Sequence, residues 1–418
     1  MELNSRSLSG LVEVLDAMLD FSEPADAILQ RFFRANPKLG KQERGLIAET
    51  AFAVLRHKRS LEKLIGGRAA PRQLALAALS KYIGLGTPKL KTCLSAREID
   101  WLIDLKSRSI EFTAAERAEL PDWLYTRLAQ EYGGEELQSL AEALNRPAPL
   151  DLRVNIARTS RDEVLRMFQE QGLDAKPTPY APSGIRLPVK IALGEHSLFK
   201  HGLVEVQDEG SQLLALLVAP KRREMIADFC AGAGGKTLAL GALMHSQGRL
   251  YAFDVSQKRL DKFSPRLKRS GLSNVQVQTL AHERDARLKR LHGKLDRVLV
   301  DAPCSGLGTL RRNPDLKWRQ QPADIDEMQT KQNAIIMSAA KLVKPGGRLI
   351  YATCSLLRAE NEDVVGAFLA QNAQFSLLNC ADILRQQHIE LDSGEYLKLS
   401  PDRHGTDGFF AAVMQRQN

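Results

Sequence analysis

Along the first third of the chain, apolar residues return every three or four positions. Leu11-Val12, Leu15 and Met18-Leu19 make one series, and Ile28-Leu29 with Phe32-Phe33 make a second. The runs Ile47–Leu55 and Leu74–Leu79 continue it. That spacing gives each helix one apolar stripe, and nothing here alternates with period two. Residues 1–130 are therefore expected to form an all-helical domain.

A further helical patch opens at Leu120-Pro-Asp-Trp-Leu124 and runs to about Leu144, before Arg146-Pro-Ala-Pro149. The pattern then changes to strand (Leu150–Val154), helix (Ser160–Gln171) and strand (Gly184–Leu187), a small α+β module assigned to residues 131–205. From about residue 203, strand-like runs alternate with helical segments. The runs are Met225–Phe229, Arg249–Phe253, Val275–Gln278, Arg297–Val300 and Arg348–Tyr351. Such alternation implies right-handed βαβ units and a parallel sheet. Tyr396–Leu399 and Phe409–Met414, joined by a turn-rich loop, predict an antiparallel hairpin at one edge. The expectation for residues 206–418 is an α/β domain with a Rossmann-like sheet.

Charge and cysteine usage narrow the class. Lys+Arg of 59 against Asp+Glu of 50 gives a net +9, a surface that favours polyanions. The five cysteines, Cys93, Cys230, Cys304, Cys354 and Cys380, are an odd number without a CxxC pair. That argues against a disulfide framework or a zinc site and for a reducing compartment. No stretch has signal-peptide or membrane-spanning character, so a cytoplasmic protein with no membrane association and no metal is expected, a monomer by default.

Two sets of residues carry chemistry. Cys230, Ala231, Gly232, Ala233, Gly234, Gly235 and Lys236 lie between the first strand of the large domain and the helix that follows. Glycines there let a ligand approach the backbone at a helix N-terminus. The loop matches neither a Walker P-loop nor a dinucleotide fingerprint. Asp254 ends the next strand, where a carboxylate can take both hydroxyls of a ribose or else start an Asx turn. A nucleoside without phosphates is the implied ligand, and S-adenosylmethionine fits.

The second set is a pair of thiols at strand ends, Cys304 in Asp301-Ala-Pro-Cys-Ser-Gly306 and Cys354 in Tyr351-Ala-Thr-Cys-Ser355. Both sit among turn-forming residues, in the crevice where α/β sheets display reactive groups. With Asp301 beside them, they suggest covalent chemistry on an electrophilic carbon. The bland alternative is a pair of small buried hydrophobes.

Asp301-Ala-Pro-Cys-Ser-Gly-Leu-Gly308, Arg311-Arg-Asn-Pro-Asp-Leu-Lys-Trp318, Tyr351-Ala-Thr-Cys-Ser355 and Asp407-Gly-Phe-Phe410 closely resemble the RsmB/NOP/Sun family of RNA cytosine-5 methyltransferases. The resemblance implies a class I methyltransferase sheet, S-adenosylmethionine as cofactor and RNA as substrate. It makes the 131–205 module an RNA-binding preface, and the helical start, with Phe52-Ala-Val-Leu-Arg56, faintly resembles the NusB-like domain of the bacterial rRNA members. It further implies that Cys354 attacks carbon 6 of cytosine and that Cys304 assists product release. Asp301 should then face the ring with a raised pKa or a shared proton. The chain departs from the family at Ala233, where a proline is usual, and the loop should be looser for it.

An ordinary thiol is only a few per cent ionised at neutral pH. A positive field at Cys354 is therefore expected, with Lys317 or an arginine as its source. Asp285, after the third strand of the large domain, is either an acid against the adenine amino group or a helix N-cap. Arg311, Arg312, Lys317, Trp318 and Arg319 mix cations with an aromatic ring on the loop leaving Cys304, a combination suited to phosphates and a splayed base. Lys221-Arg-Arg223 and Arg266-Leu-Lys-Arg269 either extend that track or are solvated faces.

The helical start favours ribosomal over transfer RNA as substrate. Two competing readings are set aside by particular residues. An adenine N6 enzyme needs an Asn/Asp-Pro-Pro-aromatic loop where this chain has Asp301-Ala-Pro-Cys304. A non-catalytic rRNA-binding factor has no chemical reason to keep both cysteines, Asp301 and Lys236.

Overall fold

The computed structural model describes residues 4–188, 191–391 and 393–418. The chain separates into two compact units, one of residues 1–147 with 309–322, the other of 148–308 with 323–418.

The first unit is helical. Its main helices are Ser5–Met18, Ala25–Ala35, Lys41–Arg56, Lys58–Ile65, Pro71–Lys81, Ala96–Ser107, Asp122–Ala129 and Gly134–Leu144. Local chemistry marks where they begin. The Asn4 side chain accepts from Ser7 N at 2.7 Å, Pro71 opens its helix, and Ser95 with Glu98 forms a capping box. The stripes read from the sequence become the core: Leu11, Leu15, Ile28, Ile47, Val54, Leu74 and Leu79 are all buried.

Residues 309–322 complete this unit, by capping one of its helices. The helix Lys41–Arg56 ends with carbonyls that need donors. Trp318 Nε1 donates to Leu55 O at 2.8 Å, and Lys317 Nζ to Arg56 O and Asn145 Oδ1, both at 2.9 Å. In return, Arg56 donates to Arg311 O at 3.1 Å. An ammonium suits a helix C-terminus, but burial pushes the Lys317 pKa down to about 7, with Glu119 opposing and Arg56 adding to the shift.

The unfolded chain then holds a proton that the folded chain gives up, so stability should rise with pH above 7. Between pH 7 and 8 the rise is expected to be about 1 kcal/mol, because half the folded molecules still hold the proton at pH 7. Thermal unfolding at the two values checks this, and Lys317→Met should remove the rise.

The second unit carries two sheets. The smaller is antiparallel, ordered β2-β3-β1-β4, from β1 (Leu150–Val154), β2 (Lys176–Pro177), β3 (Gly184–Leu187) and β4 (Val204–Val206), with the helix Arg161–Glu170. The larger uses β5 (Met225–Asp228), β6 (Arg249–Asp254), β7 (Val275–Thr279), β8 (Leu295–Asp301), β9 (Val343–Thr353), β10 (Phe375–Leu378), β11 (Leu397–Leu399) and β12 (Phe409–Arg416). Its order is β10-β12-β9-β8-β5-β6-β7, and strands β5 to β9 pair in parallel. The expected hairpin forms where β11 pairs with the start of β12, and β10 takes the end of the same edge. The chain runs outward from β5 to β7, then returns to β8 on the other side of β5. That reversal is a topological switch point, where open α/β sheets bind ligands. Among the described residues, no helix is long and apolar enough to cross a membrane.

Candidate active site

Three adjacent strands end in acids at that reversal. Asp301 ends β8, Asp228 ends β5 and Asp254 ends β6. The loop between β5 and the helix Gly235–Leu243 lies against them. Asp254 accepts from Gly232 N at 2.8 Å and Ser256 N at 2.7 Å, so it already shapes the turn, and each carboxylate oxygen keeps a second lone pair. Gly234 has φ +81°, and a Cβ there would fall 1.9 Å from the buried Phe263 ring, so only glycine fits. Asp228 is buried and its pKa is pushed up to about 7 by that burial, against a 2.7 Å hydrogen bond from Thr237. Burial also drives the Cys230 thiol well above its usual range, which leaves it unreactive.

Lys236 is the cation of this cluster. Its ammonium donates to Asp301 Oδ2 at 2.6 Å and stands 5.6 Å from the centre of the Phe409 ring. Burial works against its charge, but Asp301, Cys354 and Asp228 together outweigh that and raise its pKa. Three acids at the strand ends, with the one ammonium already paired to Asp301, disfavour phosphate. They suit a cationic sulfonium with neutral ribose hydroxyls, so the residues present fit S-adenosylmethionine.

The two thiols meet because β8 and β9 are neighbours, Asp301 standing opposite Ala352. Cys304 Sγ and Cys354 Sγ are 3.4 Å apart. The Cys304 pKa is raised well above the usual range by its hydrogen bond to Cys354, by burial and by the charges of Cys354 and Glu360. Cys304 thus keeps its proton and can offer it to Cys354. Gly308 closes the turn, its N–H donating to Cys354 O at 2.8 Å, and a Cβ there would lie 2.1 Å from Gly408 O.

Behind the thiols lies a buried clamp that sequence reading missed. Glu360 Oε1 accepts from Ser305 N at 2.8 Å and Gln332 Nε2 at 3.0 Å. Its Oε2 accepts from the hydroxyls of Ser305 and Ser355, the residues that follow the two cysteines. Asn361 adds bonds from Thr353 Oγ1 and to Ser355 O. In the sequence, Arg358-Ala-Glu-Asn-Glu362 reads as a solvated charged turn, and only the serine after each cysteine hints at a shared acceptor. Glu360→Gln would put a donor where two hydroxyls now donate. We expect a stability loss of about 1–3 kcal/mol and slower turnover with cofactor binding unchanged, read by thermal unfolding and single-turnover methylation.

Several expectations need correction. Lys317 belongs to the helical unit and is committed to Arg56 O and Asn145, while the ammonium that acts on Cys354 is Lys236. Of the proposed RNA contacts, Arg311 and Lys317 are buried, Trp318 is spent on Leu55 O, and Arg319 pairs with Asp315 at 3.4 Å. Arg312, half-buried on the same segment, also lies in the helical unit. The segment packs as a structural element of that unit, which the local mixture of cations and an aromatic could not reveal. Arg266 and Arg269 are likewise engaged, both by Glu205. Asp285 accepts from Ala281 N at 2.8 Å and Arg287 N at 2.9 Å, with the Arg287 guanidinium holding its pKa well below the usual carboxylate range. That is the capping role the sequence also allowed. Among the described residues, no cluster could hold a metal ion.

Residues 215–415 match the family model for 16S rRNA methyltransferase RsmB/F, and 120–193 match the ferredoxin-like domain of RsmF/B-like methyltransferases. A probable ribosomal RNA small subunit methyltransferase B from Synechocystis is 36% identical over 307 residues, 73% of this chain and 69% of that one. Ribosomal RNA small subunit methyltransferase B from Klebsiella pneumoniae is 30% identical over 100% of this chain and 99% of its own. A solved methyltransferase homolog from Pyrococcus horikoshii superposes with a TM-score of 0.62 at 30% identity, over 72% of this chain and 97% of that one. The chain belongs to the RsmB/F family of 16S rRNA methyltransferases, whose methyl donor is S-adenosylmethionine.

Proposed function

We propose that this protein methylates carbon 5 of a cytosine in small-subunit ribosomal RNA through a covalent bond between Cys354 and carbon 6. The observation that carries the reading is the pair of sulfurs 3.4 Å apart beside the Lys236–Asp301 ion pair. Carbon 5 of cytosine is a poor nucleophile. Adding the Cys354 thiolate to carbon 6 forms a C–S bond and turns the ring into an enamine, which divides one hard step into easier ones. The charge that builds on cytosine N3 takes a proton from the Lys236–Asp301 pair. S-adenosylmethionine supplies the electrophilic methyl group that carbon 5 then accepts. Cys304 first gives its own proton to solvent and, as a thiolate, takes the remaining proton from carbon 5; N3 then returns its proton to the Lys236–Asp301 pair as the C–S bond breaks, the ring double bond returns and Cys354 leaves as a thiolate.

The target base cannot be reached inside a helix, so it must be flipped or already unpaired. Bisulfite sequencing of ribosomal and transfer RNA, with and without the gene, tests the assignment. One small-subunit rRNA cytosine should lose its protection. A transfer RNA site would overturn the substrate, and no change at any cytosine would favour a binding-only role.

A further inference from the structure

The loop that leaves β5 is held by residues outside the large sheet. Arg153, on β1 of the small sheet, sends Nη1 to Gly235 O at 2.7 Å and to Gln207 Oε1 at 2.5 Å. Arg266, on the helix Gln257–Ser270, sends Nη1 to Ala233 O at 2.6 Å. Its Nε and Nη2 grip Glu205 Oε2 at 3.1 and 3.0 Å, and the other oxygen of Glu205, on β4, takes Arg269. A Cβ on Gly235 would stand 3.7 Å from Gln207 Nε2 and 4.0 Å from Arg266 Nη2. Two guanidinium groups thus converge on carbonyls two residues apart in one short loop.

The placement of Arg153 is expensive in stability. The side chain is buried, its Nε has no partner, and its acceptors are a neutral amide and a peptide carbonyl. Glu205 stands opposite it on β4, but both oxygens of that carboxylate accept from Arg266 and Arg269, so burying Arg153 contributes little net stability. What it supplies is a fixed direction for the Gly235 carbonyl. The loop has reason to need such fixing, because Gly232, Gly234 and Gly235 leave its backbone little restricted. Arg266 takes the carbonyl of Ala233, which lies between two of these glycines.

We propose that Arg153 and Arg266 are positioning residues that fix the 230–236 loop for the cofactor, so that the small sheet forms part of the cofactor site. This rests on the loop being where S-adenosylmethionine binds. Glu205 and Gln207 orient the two arginines, and the arginines orient the loop.

Calorimetric titration of the free full-length protein with S-adenosylmethionine tests this, alongside unfolding temperature and steady-state kinetics. Arg266→Met should weaken cofactor binding about tenfold, the loss of one charge-assisted hydrogen bond. KM for the cofactor should rise in step, while kcat at saturating cofactor stays within about twofold. Arg266→Lys should recover part of the affinity, and Glu205→Gln should fall between. Because Arg153 is buried and Arg153→Met can unfold the protein, the partly exposed Arg266 and the near-isosteric Glu205→Gln carry the test. Unchanged affinity in folded Arg266→Met and Glu205→Gln would overturn the proposal. So would losses that follow only the fraction of unfolded protein, with no recovery in Arg266→Lys. A wild-type protein that binds no cofactor would instead overturn the reading of the loop, and this proposal with it.

Discussion

Replacing Cys354 with alanine is expected to abolish methyl transfer while leaving S-adenosylmethionine binding intact. The two effects separate because Cys354 lies past β9, whereas the cofactor loop leaves β5 and is shaped by Asp254 and Gly234. Without a thiolate to saturate carbon 6, carbon 5 has no enamine from which to attack, so no other group in the site substitutes. A loss on the order of 10⁴-fold or more is expected, as for other covalent nucleophiles. Radiolabel transfer into small-subunit rRNA measures the loss, and calorimetry measures the binding. Residual turnover near the wild-type rate would remove Cys354 from the role of nucleophile.

Replacing Cys304 with alanine should have the opposite signature. The first half of the reaction needs Cys354, Lys236 and Asp301, all still present, so the adduct forms and the methyl group is transferred. The second half needs a base within reach of carbon 5, and Cys304 is the group held 3.4 Å from the attacking sulfur. Without it, enzyme should accumulate on RNA as a complex that survives a denaturing gel, with multiple turnover lost. Free enzyme on that gel, with turnover maintained, would argue against the release role. Glu360 connects the two experiments, since one carboxylate accepts from the residues following both cysteines. Its charge also helps keep Cys304 protonated in the free protein.

The parallel sheet was legible because its strands are apolar runs bounded by turn residues, and the site residues sit where those runs stop. Cys304, Cys354, Asp301 and the 230–236 loop could be found for that reason. Three of the short strands, β2, β4 and β10, were not legible, whereas β3 and β11 were read. β2 is two residues including Pro177, and β4 and β10 span three and four, too few positions to display a period.

One charged group was missed and another misread. Glu360 carries no signal in the local sequence and is fully buried, because its four donors come from three separate stretches of chain. Lys317 and Trp318 looked like an RNA-facing pair and instead cap a helix more than 250 positions upstream. Local sequence reports what a side chain can do; only long-range packing decides whether it is free to do it.

The most direct test of the central claim is to trap the wild-type enzyme on small-subunit rRNA carrying 5-fluorocytosine. Fluorine at carbon 5 leaves no proton to remove, so the adduct cannot resolve. After nuclease and protease digestion, mass spectrometry should find one modified peptide, with the methylated fluorocytidine on Cys354. The same adduct mapped to Cys304 would reverse the two roles, and the absence of any adduct alongside active methylation would contradict covalent catalysis by this thiol pair.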